Sequence, residues 1–380
     1  MGSQLPSPKT LLEVLEDHIN VDADSLDPVF IKSLPIRCHD QTSNQRIVHD
    51  AIIDPVNAAI VEQTVRELKG QAWDEVYVLA LARIAATVLP VISGTVLSQT
   101  SPTRANDKEF VLMDARRRHR AYLSAGIPAD RIAIKIATTS AGVQAARILS
   151  DEGIRTLGTT LFSVPQALAA EQAGMFAISI YFNEPGAHGD PSIWPDVSDP
   201  ATQHPMAARH LLIRHAYNQL TAKTGRSTPQ LKTASYASPR EVMTAPALGA
   251  DHVTIGRNLL EDLAISDKMP AYRKGVWKVP VAKQIKDQGE AFQWEAWTPP
   301  TEGETAERIA VAVANAAKVD PGQLPAFDDG TDYLADGVLD KINAADALTN
   351  NKLEEGLSKF AVWEKASQEY IEALQAKLNA

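Results

Sequence analysis

The chain has 380 residues, 44% apolar and 22% charged, a composition that suits a soluble globular protein of one large domain or two ordinary ones. Its 37 basic and 47 acidic residues leave a formal charge of −10, which opposes nucleic acid, anionic membranes and polyanionic substrates unless local arginines offset it. No apolar run of about 18 residues offers a membrane span, and MGSQLPSPKTLLEVLEDH lacks the basic start and apolar core of a secretory signal.

In chain order, short β-like runs alternate with amphipathic helical stretches. Ile19–Ala23 reads as a strand, Ile36–His39 as a second, and Asn44–Leu68 as one long helical pattern. A helix at Asp74–Val88 precedes strand three at Val91–Leu97, and a helix at Asp107–Ser124 precedes strand four at Ile132–Ala137. Ala141–Ser150 is helical, Thr156–Leu161 is strand five, Val164–Ala173 is helical and Ala177–Phe182 is strand six. Asn183 to His204, rich in Pro, Gly, Asp and His, reads as a long loop. The helix Pro205–Ala222, strand seven at Leu231–Tyr236, the helix Arg240–Leu248 and strand eight at His252–Ile255 complete the series.

Eight such strands predict an α/β fold, a single (β/α)8 TIM barrel with extra C-terminal helices. The rival, an open doubly wound sheet, has no Gly-x-Gly-x-x-Gly or Walker-type loop to support it. The barrel is expected over residues 1–265. Residues 266–332 carry Trp277, Trp294, Trp297 and many prolines, with one helical pattern at Thr305–Ala317, and read as an insertion or lid. Residues 333–380 read as C-terminal helices packing on the barrel. Arg116, Arg117, Arg118 and Arg120 fall on one helix and read as a solvated face rather than a nucleic-acid patch. Cys38 is the only cysteine, so no internal disulfide can form; it reads as a packed thiol in a reducing, cytoplasmic setting.

Lys135 is the residue hardest to explain without chemistry. In IAIKIATT, alternation puts Ile132, Ile134 and Ile136 on one face and Ala133, Lys135 and Ala137 on the other. The isoleucine face suits helices packed outside a sheet, and the flanking alanines leave space around the amine. Burial favours a neutral amine, a nucleophile that condenses with a ketone. The bland alternative is an edge-strand lysine that reaches water.

In such a barrel the reactive face is the C-terminal end of the strands. Those ends supply Asp22 and Asp24, the run Asp40 to Gln45 with Asn44, then Gln99, Thr138, Thr159, Ser163, Ser179, Tyr181, Asn183, Ser235 and Arg257. Each has an ordinary explanation: hydroxyls and Asn44 as helix caps, Tyr181 as a rim aromatic, either aspartate as a solvated charge. Collectively they surround one lysine.

The series DADSLDP, DQTSNQ, IAIKIATTSAGVQAARIL, LGTTLFSVPQALAAEQAG and KTASY resembles the transaldolase family of class I aldolases. The likeness runs from about Val21 to Leu263, with the motifs in family order, and the C-terminal helices are similar too. It implies a (β/α)8 barrel with Lys135 as the Schiff-base lysine. It places the proton-moving carboxylate on Asp24, with Asp22 as the fallback. Donor-hydroxyl contacts fall on Asn44 and Ser179, and positioning of the catalytic water on Thr159. Ser235 matches the family's strand-seven serine.

This chain departs from ordinary transaldolases at Gln99, where they have glutamate, and at Tyr181, where they have phenylalanine. The fructose-6-phosphate aldolase branch has glutamine and tyrosine there, and the spacings from Lys135 to Thr159 and Tyr181 fit that branch. The family's phosphate arginine after strand six is Glu184 here, and its basic residue after the strand-seven serine is Ala237. Losing two charge-assisted bonds of roughly 1.5–3 kcal/mol each should weaken phosphate binding several hundred-fold or more. The expected substrate is therefore an unphosphorylated ketose or aldehyde, or one whose phosphate is held by Arg257 or Arg240. The expected reaction is dihydroxyacetone-type transfer or release. Two alternatives stay open: an ordinary pentose-phosphate transaldolase acting on sedoheptulose 7-phosphate and glyceraldehyde 3-phosphate, or a non-catalytic metabolite-binding barrel. His188, His204, His210 and His215 have no tight ligand spacing and imine chemistry needs no ion, so neither metal nor cofactor is expected. The resemblance suggests a homo-oligomer, a dimer.

Overall fold

The computed structural model describes residues 8–188, 190, 196–268, 307, 309–314 and 328–379. Seven parallel strands form the sheet: β1 (Asn20–Asp24), β2 (Val96–Gln99), β3 (Ile132–Ala137), β4 (Thr156–Leu161), β5 (Ala177–Ile180), β6 (Gln230–Thr233) and β7 (His252–Gly256). Their order is β1-β7-β6-β5-β4-β3-β2. The eighth rung is one residue long. Gln41 bridges in parallel to Ala23 of β1 and to Val96 of β2, joining the two ends of the curled sheet. The fold is thus an α/β TIM-barrel-like ring with helices around it, as the alternating pattern predicts.

The second strand is the main correction to the sequence reading. Ile36–His39 forms no strand; the pairing falls at Gln41, after Asp40. Buried polar partners decide this. Asp40 accepts from the Thr95 N–H at 2.7 Å, and Ala23 N–H donates to the Asp40 carbonyl at 2.8 Å. Helix boundaries also shift. The pattern at Asn44–Leu68 splits into Gln45–Ile53 and Ala58–Glu67 around Pro55, which lacks the N–H a continuous helix needs. Three helices, Leu11–Glu16, Pro28–Ser33 and Arg257–Ile265, are additional to the sequence reading; the first two have six residues each, too few turns for a visible period.

The isoleucine face of β3 behaves as expected: Ile132, Ile134 and Ile136 lie in the main core between sheet and helices. The arginine helix does not. Arg118 is fully buried, with Asp114 at 2.9 Å, and Arg117 bonds Asp114 at 2.7 Å and also Asp74. Only Arg116, with Glu152, and Arg120 stay at the surface, so the predicted solvated face is half an interior ion network. Cys38 is buried, and burial together with nearby carboxylates pushes its thiol up to about 12, which makes it an inert packed group.

The chain ends in the helices Val338–Ala345 and Ala347–Asn379. Buried Arg209 clamps Asp346 at 2.6 and 3.0 Å between them. From there the last helix runs over the C-terminal ends of the strands. It bonds Ser101 through Glu364 (2.7 Å), His49 through Ser367 (3.2 Å) and Glu184 through Lys352 (3.1 Å). Residues 189 and 191–195 of the long loop and 269–306, 308 and 315–327 of the Trp-rich segment lie outside the described residues; the helix expected at Thr305–Ala317 is helical at 307 and 309–314. No helix among the described residues is long and apolar enough to cross a membrane.

Candidate active site

Register determines what meets inside the ring. Gln99 pairs with Lys135, Lys135 with Leu157, and Leu157 with Ala177. The inward positions one step lower, Leu97, Ala133, Leu157 and Ala177, form a small apolar cluster separate from the main core. It floors a space lined above by Gln99, Lys135, Thr159 and Ser179. Lys135 is 4% exposed. Burial lowers its pKa, and the Asp24 carboxylate opposes that fall. Asp24 is the mirror case: burial raises its pKa, while Lys135 and a 2.5 Å hydrogen bond from the Thr42 hydroxyl hold it down.

Asp22, the fallback acid, is committed elsewhere. It shares the face of Asp24 but lies one layer deeper. There Lys232 donates to it at 3.2 Å, His252 Nδ1 is 2.9 Å away, and the Asp40 N–H donates at 3.0 Å. Lys232 also pairs with Asp40 at 2.8 Å. Asp22, Asp40 and His252 converge closely enough to suggest a cation site, and the Lys232 ammonium already serves as the cation. With this lysine beside it Asp22 has a lowered pKa, even though burial is the largest influence and acts the other way.

At the upper rim, Thr159 Oγ1 and Tyr181 OH are 3.2 Å apart. Both are buried, and burial pushes the Tyr181 phenol well above its usual range, so it is held protonated. Gln99 is 3% exposed, and its Oε1 has no partner among the described residues. A buried acceptor left open in this way is suited to a water or a substrate hydroxyl. Lys135, Asp24, Thr159, Tyr181 and Gln99 therefore gather in one interior: an amine, a carboxylate, a hydroxyl, a phenol and a carboxamide.

The family model for transaldolase/fructose-6-phosphate aldolase matches residues 21–298. The chain belongs to this family. It is 32% identical to a transaldolase of Nostoc punctiforme over 264 residues, covering 67% of this chain and 76% of that one. It is 29% identical to a transaldolase of Glaesserella parasuis over 295 residues, covering 75% and 89%. Among solved structures, 3-hexulose-6-phosphate synthase from Salmonella typhimurium aligns at TM-score 0.35 and 12% identity over 78% of this chain and 100% of that one; at that score the likeness settles nothing.

The remaining candidates of this family member sit around the rim. Asn44 does cap a helix: its Oδ1 accepts from the N–H groups of Arg46 and Ile47 at 3.0 and 3.2 Å, so only its amide NH2 can serve a substrate. Ser179 is buried on the inner face of β5. Ser235 has φ 66°, unusual for a non-glycine residue, and its hydroxyl is 3.0 Å from His188 Nε2. Arg257 does not join the group. Its half-exposed guanidinium bonds Asp27 and Glu261, each at 2.9 Å, over the Phe30 ring. Arg240 is buried and already engaged. Glu184 is ion-paired to Lys352 at 3.1 Å, so it stands as half of a balanced pair rather than a bare carboxylate.

Sequence reading includes Asp40 and Thr42 only within the run Asp40 to Gln45, with no role for either, and misses Lys232. Thr42 shares a face with Asn44 on an extended segment, a period-two signal that was available. Lys232 lay in KTASY as a second strand lysine, but nothing local paired it with residues 210 positions earlier.

Proposed function

We propose that this chain is a Schiff-base enzyme that makes or breaks a carbon–carbon bond of a ketose by aldol chemistry. One observation carries the reading: Lys135, 4% exposed with its pKa lowered by burial, is electrostatically coupled to half-buried Asp24 at the end of β1. The neutral amine adds to the donor ketone and water leaves, giving an iminium that acts as an electron sink. Asp24 as carboxylate takes the proton from the neighbouring hydroxyl. The carbon–carbon bond breaks, an aldehyde departs, and its bonding electrons remain as an enamine on Lys135. A second aldehyde then captures the enamine, which is transfer. Alternatively the enamine carbon is protonated and water hydrolyses the imine, which is release of free ketone.

Tyr181 with Gln99, Thr159 and a water supplies the proton for release, because a phenol donates where a phenyl ring does not. Asn44, Ser179 and Ser235 hold substrate hydroxyls. The substrate is unphosphorylated or atypically anchored, since Arg257 is neutralised by two carboxylates and Glu184 and Ala237 stand where cations would be needed. The relatives' name, transaldolase, together with Lys352 beside Glu184, favours the second reading, an ordinary sugar-phosphate transaldolase with its anchor moved to the C-terminal helix.

Borohydride reduction in the presence of fructose or fructose 6-phosphate, followed by peptide mass spectrometry, tests the chemistry. An adduct on Lys135, absent in Lys135→Met, is expected; no adduct with any ketose would mean a non-catalytic barrel. Relative rates on the two sugars decide between the phosphate readings, and strong preference for the ester refutes the unphosphorylated one. A cytoplasmic dimer, with 1–265 as catalytic barrel, 266–332 as insertion or lid and 333–380 as packed helices, completes the proposal.

A further inference from the structure

The pairing of β4 with β5 slips between Gly158 and Leu161, around Thr160, a non-glycine residue at φ 50°. Regular alternation from Leu157 and Thr159 would turn Leu161 into the ring, directly above the Thr159 hydroxyl. Instead Leu161 pairs with Ile180 and packs in the outer core, while Leu157 belongs to the inner cluster. The bulge keeps a branched apolar side chain out of the space above Lys135 and makes Thr159 the last inward residue of its strand. A threonine at positive φ is strained and persists only where its surroundings impose it.

Gln166 imposes it. Its fully buried carboxamide donates to the carbonyls of Thr160 (3.3 Å) and Thr138 (3.0 Å) and accepts from the Phe162 N–H (2.8 Å). The Thr159 carbonyl in turn accepts from the Thr138 N–H and hydroxyl, both 2.9 Å, and from the Thr160 hydroxyl at 2.6 Å. The Phe162 ring meets Tyr181 edge-on at 5.6 Å. One side chain thus holds the backbone beside Thr159 and the aromatic wall beside Tyr181. From the other side Gly356, within the C-terminal helix, lies so close that a Cβ there would stand 3.1 Å from Thr160 Cγ2. Glycine is otherwise unfavourable inside a helix, and this approach accounts for it.

We propose that Gln166 is a positioning residue which, by fixing the Thr160 bulge, sets the Thr159 hydroxyl against Tyr181 and so governs how the enamine partitions between release and transfer. The proposal rests on the Schiff-base reading. Two variants test it: Gln166→Met, which keeps volume and removes every polar contact, and Gly356→Ala, which presses on Thr160 from the helix. Each is assayed for trapped ketose adduct, turnover, the ratio of free ketone to transfer product, and melting temperature. Trapping should stay within about twofold of wild type, turnover of Gln166→Met should fall at least about tenfold, and the ratio should move at least about threefold in both. Gly356→Ala should show the shifted ratio with trapping intact whichever way its melting temperature moves, which a loss of folded protein does not explain. Variants that trap and partition as wild type overturn the positioning role. If Gln166→Met does not fold, the partition of Gly356→Ala decides alone. A wild-type protein that traps nothing refutes the Schiff-base reading and this inference with it.

Discussion

The Thr42 hydroxyl donates to Asp24 at 2.5 Å, and it does so from the segment that carries the single rung closing the ring. The pairing joins the shortest element of the sheet to the carboxylate opposite Lys135. A donor to a carboxylate favours its charged form, here against burial that raises the Asp24 pKa. Thr42→Val should therefore raise that pKa further. With Asp24 in the proposed role of carboxylate base, the acid limb of kcat should move to higher pH and turnover at mildly acidic pH should fall several-fold. A pH–rate profile measured at saturating donor, where the proposal has the free Lys135 amine consumed by condensation, checks this; an unmoved limb would remove Asp24 as the base.

Asp24→Asn probes the same pair from the other side. The negative charge holds up the Lys135 pKa against the effect of burial. Without it more of the amine is neutral at a given pH. The inflection in the rate of borohydride-trapped adduct formation should shift to lower pH, while cleavage turnover falls by roughly a hundredfold or more. Adduct formation with an unshifted or higher inflection would show that the two groups are not coupled.

Tyr181→Phe keeps the ring, and with it the edge contact to Phe162, and deletes the hydroxyl 3.2 Å from Thr159. Release of free ketone should drop by about tenfold or more relative to transfer, the range for losing a positioned proton donor. Product analysis with and without an added acceptor aldehyde measures the ratio, and a constant ratio would take the phenol out of the mechanism.

Lys232→Met should be a stability variant. Removing the ammonium leaves Asp22 and Asp40 buried and facing each other, which costs about 3–5 kcal/mol for a broken buried pair. Asp22 has a folded-state pKa below its unfolded one, so the stability it contributes is present above its ordinary pKa and is lost as pH falls through the folded value. The gap between wild type and variant in urea midpoint should consequently be widest near neutrality and narrow on acidification. A gap that is constant with pH would place the loss in packing.

How much of this was legible in the chain follows from which interactions are local. Alternation within eight residues was enough to put Lys135 inward and three isoleucines outward, and the structure keeps both faces. The run of strand and helix patterns fixed an eight-unit ring, because period-two and period-3.6 patterns are written in the near neighbours of each residue. The family resemblance names Asp24 with Asp22 as the fallback, but no local pattern in the strand separates the two. Both lie on one face of one strand, and only the register with β6 and β7 brings Lys232 and His252 to the first and leaves the second to Lys135.

The same limit applied to the second strand, where the sequence points to Ile36–His39 and the ring closes at Gln41 because its hydrogen-bond partners come from both neighbours. It applied to Arg257, whose position after the last strand suggested an anion anchor until Asp27 and Glu261 were found holding it. It applied above all to Thr160. No glycine marks that bulge; a glutamine six residues on and a glycine in the last helix enforce it. Amino-acid order by itself determined the ring, its inner lysine and the residue types at its mouth. Tertiary structure alone decided which acid faces that lysine, where the ring closes and which side chain is kept out of the reaction space, since those outcomes depend on contacts between segments that are distant along the chain and meet only in the folded sheet.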